Sequence, residues 1–166
     1  MARTSYVIAV GSNRPGRHGS PHAEVCAALA QLGGIASPVI ASAPLGPSTR
    51  RYANAALLIE SDHAPPAVLA ELKAIERAFG RRRGRRWGAR VIDLDIVLWS
   101  GGLWSSRDLT IPHAAFRTRD FVLAPLAMLV PGWRDPVTSL TVRQLHARLT
   151  APRAAPSRGR LPGAGS

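Results

Sequence analysis

Residues 91–99, Val-Ile-Asp-Leu-Asp-Ile-Val-Leu-Trp, constrain the fold more than any other part of the chain. Successive side chains on a strand point to opposite faces. Asp93 and Asp95 therefore share one face, and Ile92, Leu94, Ile96 and Leu98 are expected to fill the other. The aliphatic face requires a sheet with something packed on it. Two like charges ~7 Å apart on an otherwise apolar strand repel each other, and bound cations remove that cost. Paired carboxylates holding Mg²⁺ against substrate phosphates suit this spacing; two solvated acids on an exposed face are the alternative.

The flanking pattern alternates strands and helices. Residues 6–10 form a short apolar run that reads as a first strand, with Gly11-Ser12-Asn13 as the turn after it. A loop of Arg, Pro, Gly and His follows over residues 14–21, where Ser20 can cap a helix and Pro21 can open it. Residues 22–32 carry Val25, Ala28, Leu29 and Leu32 at helical spacing, and Gly33-Gly34 stops them. A short strand at 39–41 leads into a Pro/Gly/Ser-rich loop over 42–51, a strand at 52–60 and a turn at 62–66. The clearest helix spans 66–79, with Val68, Leu69, Leu72, Ile75 and Phe79 on one face. Beyond the Gly101-Gly102 turn come a loop at 110–114, a helix-like stretch that begins over 116–125 and a last helix at 140–149. Short connections favour antiparallel neighbours, so the class is α+β, a helix-covered sheet. Residues 1–150 read as one domain and residues 151–166, rich in Pro, Gly, Ala and Arg, as a disordered basic tail.

The chain carries 22 basic against 10 acidic residues, a net charge of +12. Lys73 is the only lysine, so the excess is arginine, whose fork suits phosphate oxygens. Seven arginines fall between Arg77 and Arg90, immediately before the two aspartates. A basic loop beside paired carboxylates is what a polyphosphate site needs. The same loop could bind a nucleic-acid backbone. No apolar run approaches a membrane span, and residues 1–10 lack the pattern of a secretory signal, so a cytoplasmic location is expected. Cys26, the only cysteine, excludes an internal disulfide and reads as a small buried thiol.

Two more clusters follow. Thr110-Ile111-Pro112-His113 precedes Arg119-Asp120-Phe121, and His113, behind a proline, is the histidine with a candidate role. The other four, His18, His22, His63 and His146, read as turn or helix-surface residues. The segment from Pro44 to Asn54 resembles a ligand-covering loop, and Tyr52 and Phe121 offer flat faces for a heterocycle.

Arg86-Trp87-Gly88-Ala89-Arg90 joined to Asp93-Leu94-Asp95, with Thr110–His113 and Arg119–Phe121 following in order, resembles the signature of the 6-hydroxymethyl-7,8-dihydropterin pyrophosphokinases of folate biosynthesis. Gly11-Ser12-Asn13, Pro44-Leu45-Gly46-Pro47 and Tyr52-Ala53-Asn54-Ala55 match as well, and the likeness spans roughly residues 6–149. The resemblance implies a ferredoxin-like sandwich with a mainly antiparallel sheet. It implies two Mg²⁺ ions on Asp93 and Asp95, with ATP as co-substrate. Arg81, Arg83 and Arg90 would grip the phosphates, and Trp87, Ile96, His113 and Arg119 would contact the nucleotide. Pro44, Leu45, Gly46, Tyr52, Asn54 and Phe121 would hold the pterin. Pyrophosphate would pass from ATP to the pterin alcohol in a monomer, with neither membrane nor nucleic acid as partner. The segment between Gly33 and Pro44 is shorter than in the family, which leaves a divergent member with altered substrate or lost activity as the second reading.

Overall fold

The computed structural model describes residues 2–42, 51–80 and 90–154. Its centre is β1 (Thr4–Ser12), paired antiparallel with β4 (Tyr52–Ser61) on one side and β5 (Asp93–Trp99) on the other. Two short strands, β2 (Ile35–Ala36) and β3 (Ile40–Ser42), lie one after the other along the far edge of β4. Every pairing among the described strands is antiparallel. With α1 (Pro21–Leu32) after β1 and α2 (Pro65–Phe79) after β4, the order is β-α-β-β-α-β, a ferredoxin-like α+β sandwich. A separate ribbon of β6 (Trp104–Ser105) and β7 (Thr110–Ile111), a 3₁₀ turn (Phe116–Thr118), α3 (Asp120–Leu129) and α4 (Val142–Thr150) complete the described chain.

Alternation along β1 sorts the core into two layers. Tyr6, Ile8 and Val10 pack with Val25 and Ala28 of α1 and with Val68, Leu72 and Phe79 of α2. Val7 faces the other way, onto Leu123 and Leu126 of α3 and Val142 and Leu145 of α4. Fully burying each such aliphatic contributes about 1.5–3 kcal/mol, so neither sheet face can be left bare at these positions.

The helix ends follow local chemistry. Ser20 accepts from the Ala23 N–H, Pro21 opens α1, and Gly33 ends it at φ 69°. Thr141 and Gln144 form a reciprocal capping box at the start of α4. Gly34, at φ 87°, precedes β2, and a Cβ there would lie 2.3 Å from the Leu58 carbonyl oxygen. Gly34→Ala is therefore expected to cost about 1–3 kcal/mol, read as a lower urea midpoint. An unchanged midpoint would mean that the chain does not make this close approach.

The fold differs from the sequence expectation at several points. The register of β5 slips opposite Val7 and Ile8: Leu98 faces Val7, Ile96 faces Ile8, and Val97 is the extra residue. A bulge shifts the alternation by one. Ile92, Leu94 and Ile96 thus join the α1/α2 core, whereas Leu98 packs with Val97 in the α3/α4 core. Gly11 and Ser12 are not a turn but the end of β1, because β4 keeps pairing with them. The helix-like stretch starts as a 3₁₀ turn, and α3 begins only at Asp120; Pro125 lies inside it, where burial of Leu123, Pro125 and Leu126 outweighs the lost hydrogen bond. Cys26 is exposed, because the buried side of α1 is set by Pro21, Glu24, Val25 and Ala28.

Candidate active site

Helices α3 and α4 cover only part of their sheet face. Beyond them β1 presents Ala9 and Gly11, too small to fill the space, and a cleft of about 550 Å³ opens over them. The strand register organises its floor in rows. Asn54 on β4, Gly11 on β1 and Asp93 on β5 are direct neighbours across the sheet, and Ala56, Ala9 and Asp95 form the next row. Neighbouring strands lie ~4.8 Å apart, so Asn54 and Asp93 flank the glycine at ~10 Å from one another. A Cβ at Gly11 would sit 2.9 Å from the Asn54 side-chain oxygen, so a larger residue here would have to displace that amide.

The two aspartates share the cleft face, as their i, i+2 spacing requires. Desolvation raises the Asp93 carboxyl above its ordinary pKa, and the charges of Asp95 and Glu76 push the same way, against Arg90 and Lys73. Burial and nearby negative charge thus both disfavour the ionised Asp93, a cost that a bound cation would offset. Among the described residues no three His, Cys, Asp or Glu side chains converge on one point. Two carboxylates alone leave most coordination positions to other oxygens, and this donor set fits a hard cation that keeps waters and binds phosphate.

The rim comes from the chain after β5. The His113 N–H donates to the Val97 carbonyl at 3.1 Å, and its Nδ1 accepts from the Ala115 N–H at 3.2 Å. Nε2 is thereby the nitrogen available to a ligand. The Ile111–Pro112 peptide before it is cis. Arg119 and Phe121 stand at the start of α3 with the guanidinium 5.9 Å from the ring centroid, and both line the cleft. Phe121 is 54% and Tyr52 41% exposed, a large apolar surface for a rim that already has a packed core beneath it. Behind them, the wholly buried Asp135 accepts from Arg117 Nε and Nη2 at 2.6 and 2.8 Å, from the Thr138 hydroxyl at 2.7 Å and from the Val137 N–H at 3.0 Å. This network ties the 3₁₀ turn that precedes Arg119 to the segment leading into α4.

The cleft thus brings together Tyr52, Asn54, Asp93, Asp95, His113, Arg119 and Phe121. Arg90 does not line it: its Nη1 pairs with Glu76 at 2.9 Å. Ile96 is a core residue whose side chain faces away from the cleft. Pro44, Leu45, Gly46, Arg81, Arg83 and Trp87 lie outside the described residues. Sequence reasoning gave no role to Ala9, whose small size leaves the floor open. It did not foresee what Glu76 does either. That carboxylate is nearly buried on α2, and accepts from the Leu94 N–H at 2.9 Å, between the two aspartates, and from Arg90 and Lys73. A glutamate inside the apolar stripe of α2 was the available signal.

A family model for 7,8-dihydro-6-hydroxymethylpterin-pyrophosphokinase (HPPK) matches residues 7–131. The chain belongs to this family. HPPK relatives include the 2-amino-4-hydroxy-6-hydroxymethyldihydropteridine pyrophosphokinase of Haemophilus influenzae, 41% identical over 131 residues, covering 74% of this chain and 79% of that protein. The pyrophosphokinase of the same name from Synechocystis is 39% identical over 104 residues, 63% of this chain and 53% of its own length. The match therefore spans only about half of that relative. Among solved structures, Plasmodium falciparum HPPK-DHPS with pteroate superposes with a TM-score of 0.63 over 88% of this chain and 42% of its own, at 13% identity, a likeness of fold.

Proposed function

We propose that this HPPK-family chain transfers the pyrophosphoryl group of ATP to 6-hydroxymethyl-7,8-dihydropterin and releases AMP, within folate biosynthesis in the cytoplasm. The observation that supports this reading is the row Asn54–Gly11–Asp93, which brings a side-chain amide and a carboxylate onto one floor. No helix among the described residues is long and apolar enough to cross a membrane.

In this reading the pterin ring lies between Tyr52 and Phe121, with Asn54 bonding its edge, as flat heterocycles favour aromatic faces. Its hydroxyl attacks the β-phosphorus of ATP in line, losing its proton, while the bond from that phosphorus to the oxygen bridging the α-phosphate breaks. Asp93 and Asp95 would hold Mg²⁺, which supplies charge neutralisation and template geometry for the phosphates. His113 and Arg119 reach the nucleotide from the rim, and Arg90, steadied by Glu76, grips phosphate oxygens with Arg81 and Arg83. Positioning plus electrostatics carries most of the rate, and no protein nucleophile is called for.

AMP formation from ATP and 6-hydroxymethyl-7,8-dihydropterin is expected to need both the pterin and Mg²⁺. AMP that accumulates without pterin, or pterin-dependent turnover that persists in chelator, would sink the assignment. Removing residues 151–166 is expected to leave this turnover unchanged, since α4 ends at Thr150 and the family match at residue 131. A large loss would make the tail part of the enzyme.

A further inference from the structure

We infer that the turn at residues 16–19 is a positioning element for ATP, holding the chain beside Arg90 against the end of α2; this rests on the pyrophosphokinase reading above. The turn, Gly-Arg-His-Gly, is closed by two backbone bonds, Gly16 N–H to Gly19 O at 3.0 Å and Gly19 N–H to Gly16 O at 3.2 Å. A turn that only joined β1 to α1 would need no further contacts, yet this one touches three separate pieces of the chain.

The first is α1. Glu24, fully buried, accepts from the His18 N–H at 2.6 Å and pairs with His18 Nδ1 at 2.8 Å. The second is the C-terminal end of α2, where Arg17 Nη2 donates to the Ala78 carbonyl at 3.3 Å and the His18 ring stands 5.0 Å from that of Phe79. The third is Val91. A Cβ on Gly16 would lie 2.6 Å from both Val91 Cγ1 and Glu24 Oε1, so the backbone of the turn is pressed directly between them.

The positions of these contacts give them meaning. The turn contacts the chain at Ala78 and Phe79, just before the arginine run in sequence, and at Val91, next to Arg90. Arg90 is otherwise steadied by one partly exposed ion pair with Glu76. A guanidinium that must meet a phosphate gains affinity when its backbone is fixed beforehand, because the ordering cost is not met on binding. Arg17, His18 and Glu24 have no other part in the proposed chemistry, and none of them lines the cleft where the pterin would sit. Their loss should therefore register on ATP and leave the pterin alone.

The test is steady-state kinetics on the full chain with Gly16→Ala, His18→Ala and Arg17→Ala, together with pterin binding and thermal midpoints. Gly16→Ala and His18→Ala are expected to raise the KM for Mg-ATP about five-fold, with kcat and pterin Kd within about two-fold of the parent. His18→Asn keeps a donor for Glu24 and is expected to recover part of the loss. Arg17→Ala removes only an exposed arm and folds regardless; a rise of about two-fold is expected from it. An unchanged KM in any folded variant of Gly16 or His18 overturns the inference, as does weakening of ATP and pterin together. Should neither variant fold, an unchanged KM in Arg17→Ala overturns it alone. A parent that forms no pterin-dependent AMP overturns the activity itself, a result the variants cannot mimic.

Discussion

Asp95→Ala is expected to abolish Mg²⁺-dependent AMP formation, by about three orders of magnitude, while the protein stays folded. A metal held on substrate phosphates supplies several kcal/mol of charge stabilisation in the transition state, and each 1.36 kcal/mol is a factor of ten in rate. Asp95 is half of the described carboxylate pair, and in the proposed reading Asp93 alone would offer too few oxygens to keep an ion in place. The stability effect should run the other way. Asp95 is one of the charges that raise the Asp93 carboxyl above its ordinary value, so its removal relieves repulsion in the metal-free protein. In chelator the thermal midpoint of the variant is expected to equal or exceed that of the parent. Near-normal turnover would refute the metal assignment. A large fall in the midpoint would recast Asp95 as a structural residue.

Arg117→Ala should produce the largest loss of stability, about 3–5 kcal/mol, because it strands a carboxylate in the interior. Asp135 is fully buried and Arg117 only a quarter exposed, so solvent screens little of the interaction. Burial by itself would raise the Asp135 pKa. Hydrogen bonds from Arg117, Thr138 and the Val137 N–H outweigh it and lower the carboxyl from 3.8 to about 2. The sign of the pH effect follows: a depressed folded pKa gives stability that is fully present above 3.8 and is lost as pH falls through about 2. Urea unfolding at neutral pH measures the first effect, and the difference between parent and variant should shrink as the pH is taken towards 2. A double change to Arg117→Met with Asp135→Leu, which removes both charges, is expected to recover much of the loss. If Arg117→Ala is silent, the network does not hold the 3₁₀ turn, and Arg119 owes its place to something else.

How much of this was legible beforehand depends on the range of the interactions involved. The carboxylate strand is readable because its period of two is local, and α2 because its stripe of Val68, Leu72 and Phe79 spans about three turns. The same rule failed at Leu98, since a bulge is set by the partner strand rather than by residues 91–99 themselves. The ribbon of β6 and β7, two residues a side, carries too little pattern to be seen. Cys26 misled because composition said apolar while a one-residue rotation around α1 said solvent. For the cleft, residue types were legible but their mutual placement was not. Nothing local in the sequence says that Asn54 and Asp93 are two strands apart with Gly11 between them, because that is a property of pairing. Arg90 shows the reverse limit: its nearness to the aspartates in sequence suggested that it lines the cleft, whereas it pairs with Glu76 just outside that lining.

The row of Asn54, Gly11 and Asp93 also works as a ruler. Strand separation is dictated by backbone hydrogen bonds and hardly responds to side chains, so the span from one end of the floor to the other comes in fixed steps of ~4.8 Å. Helices on either side can drift, lengthen or repack without altering it. Tolerance to substitution should accordingly be uneven in this molecule: wide over the two helical layers, where the cost is paid in stability, and narrow along one line of three residues, where the proposed reaction would need the interval between its two substrates kept.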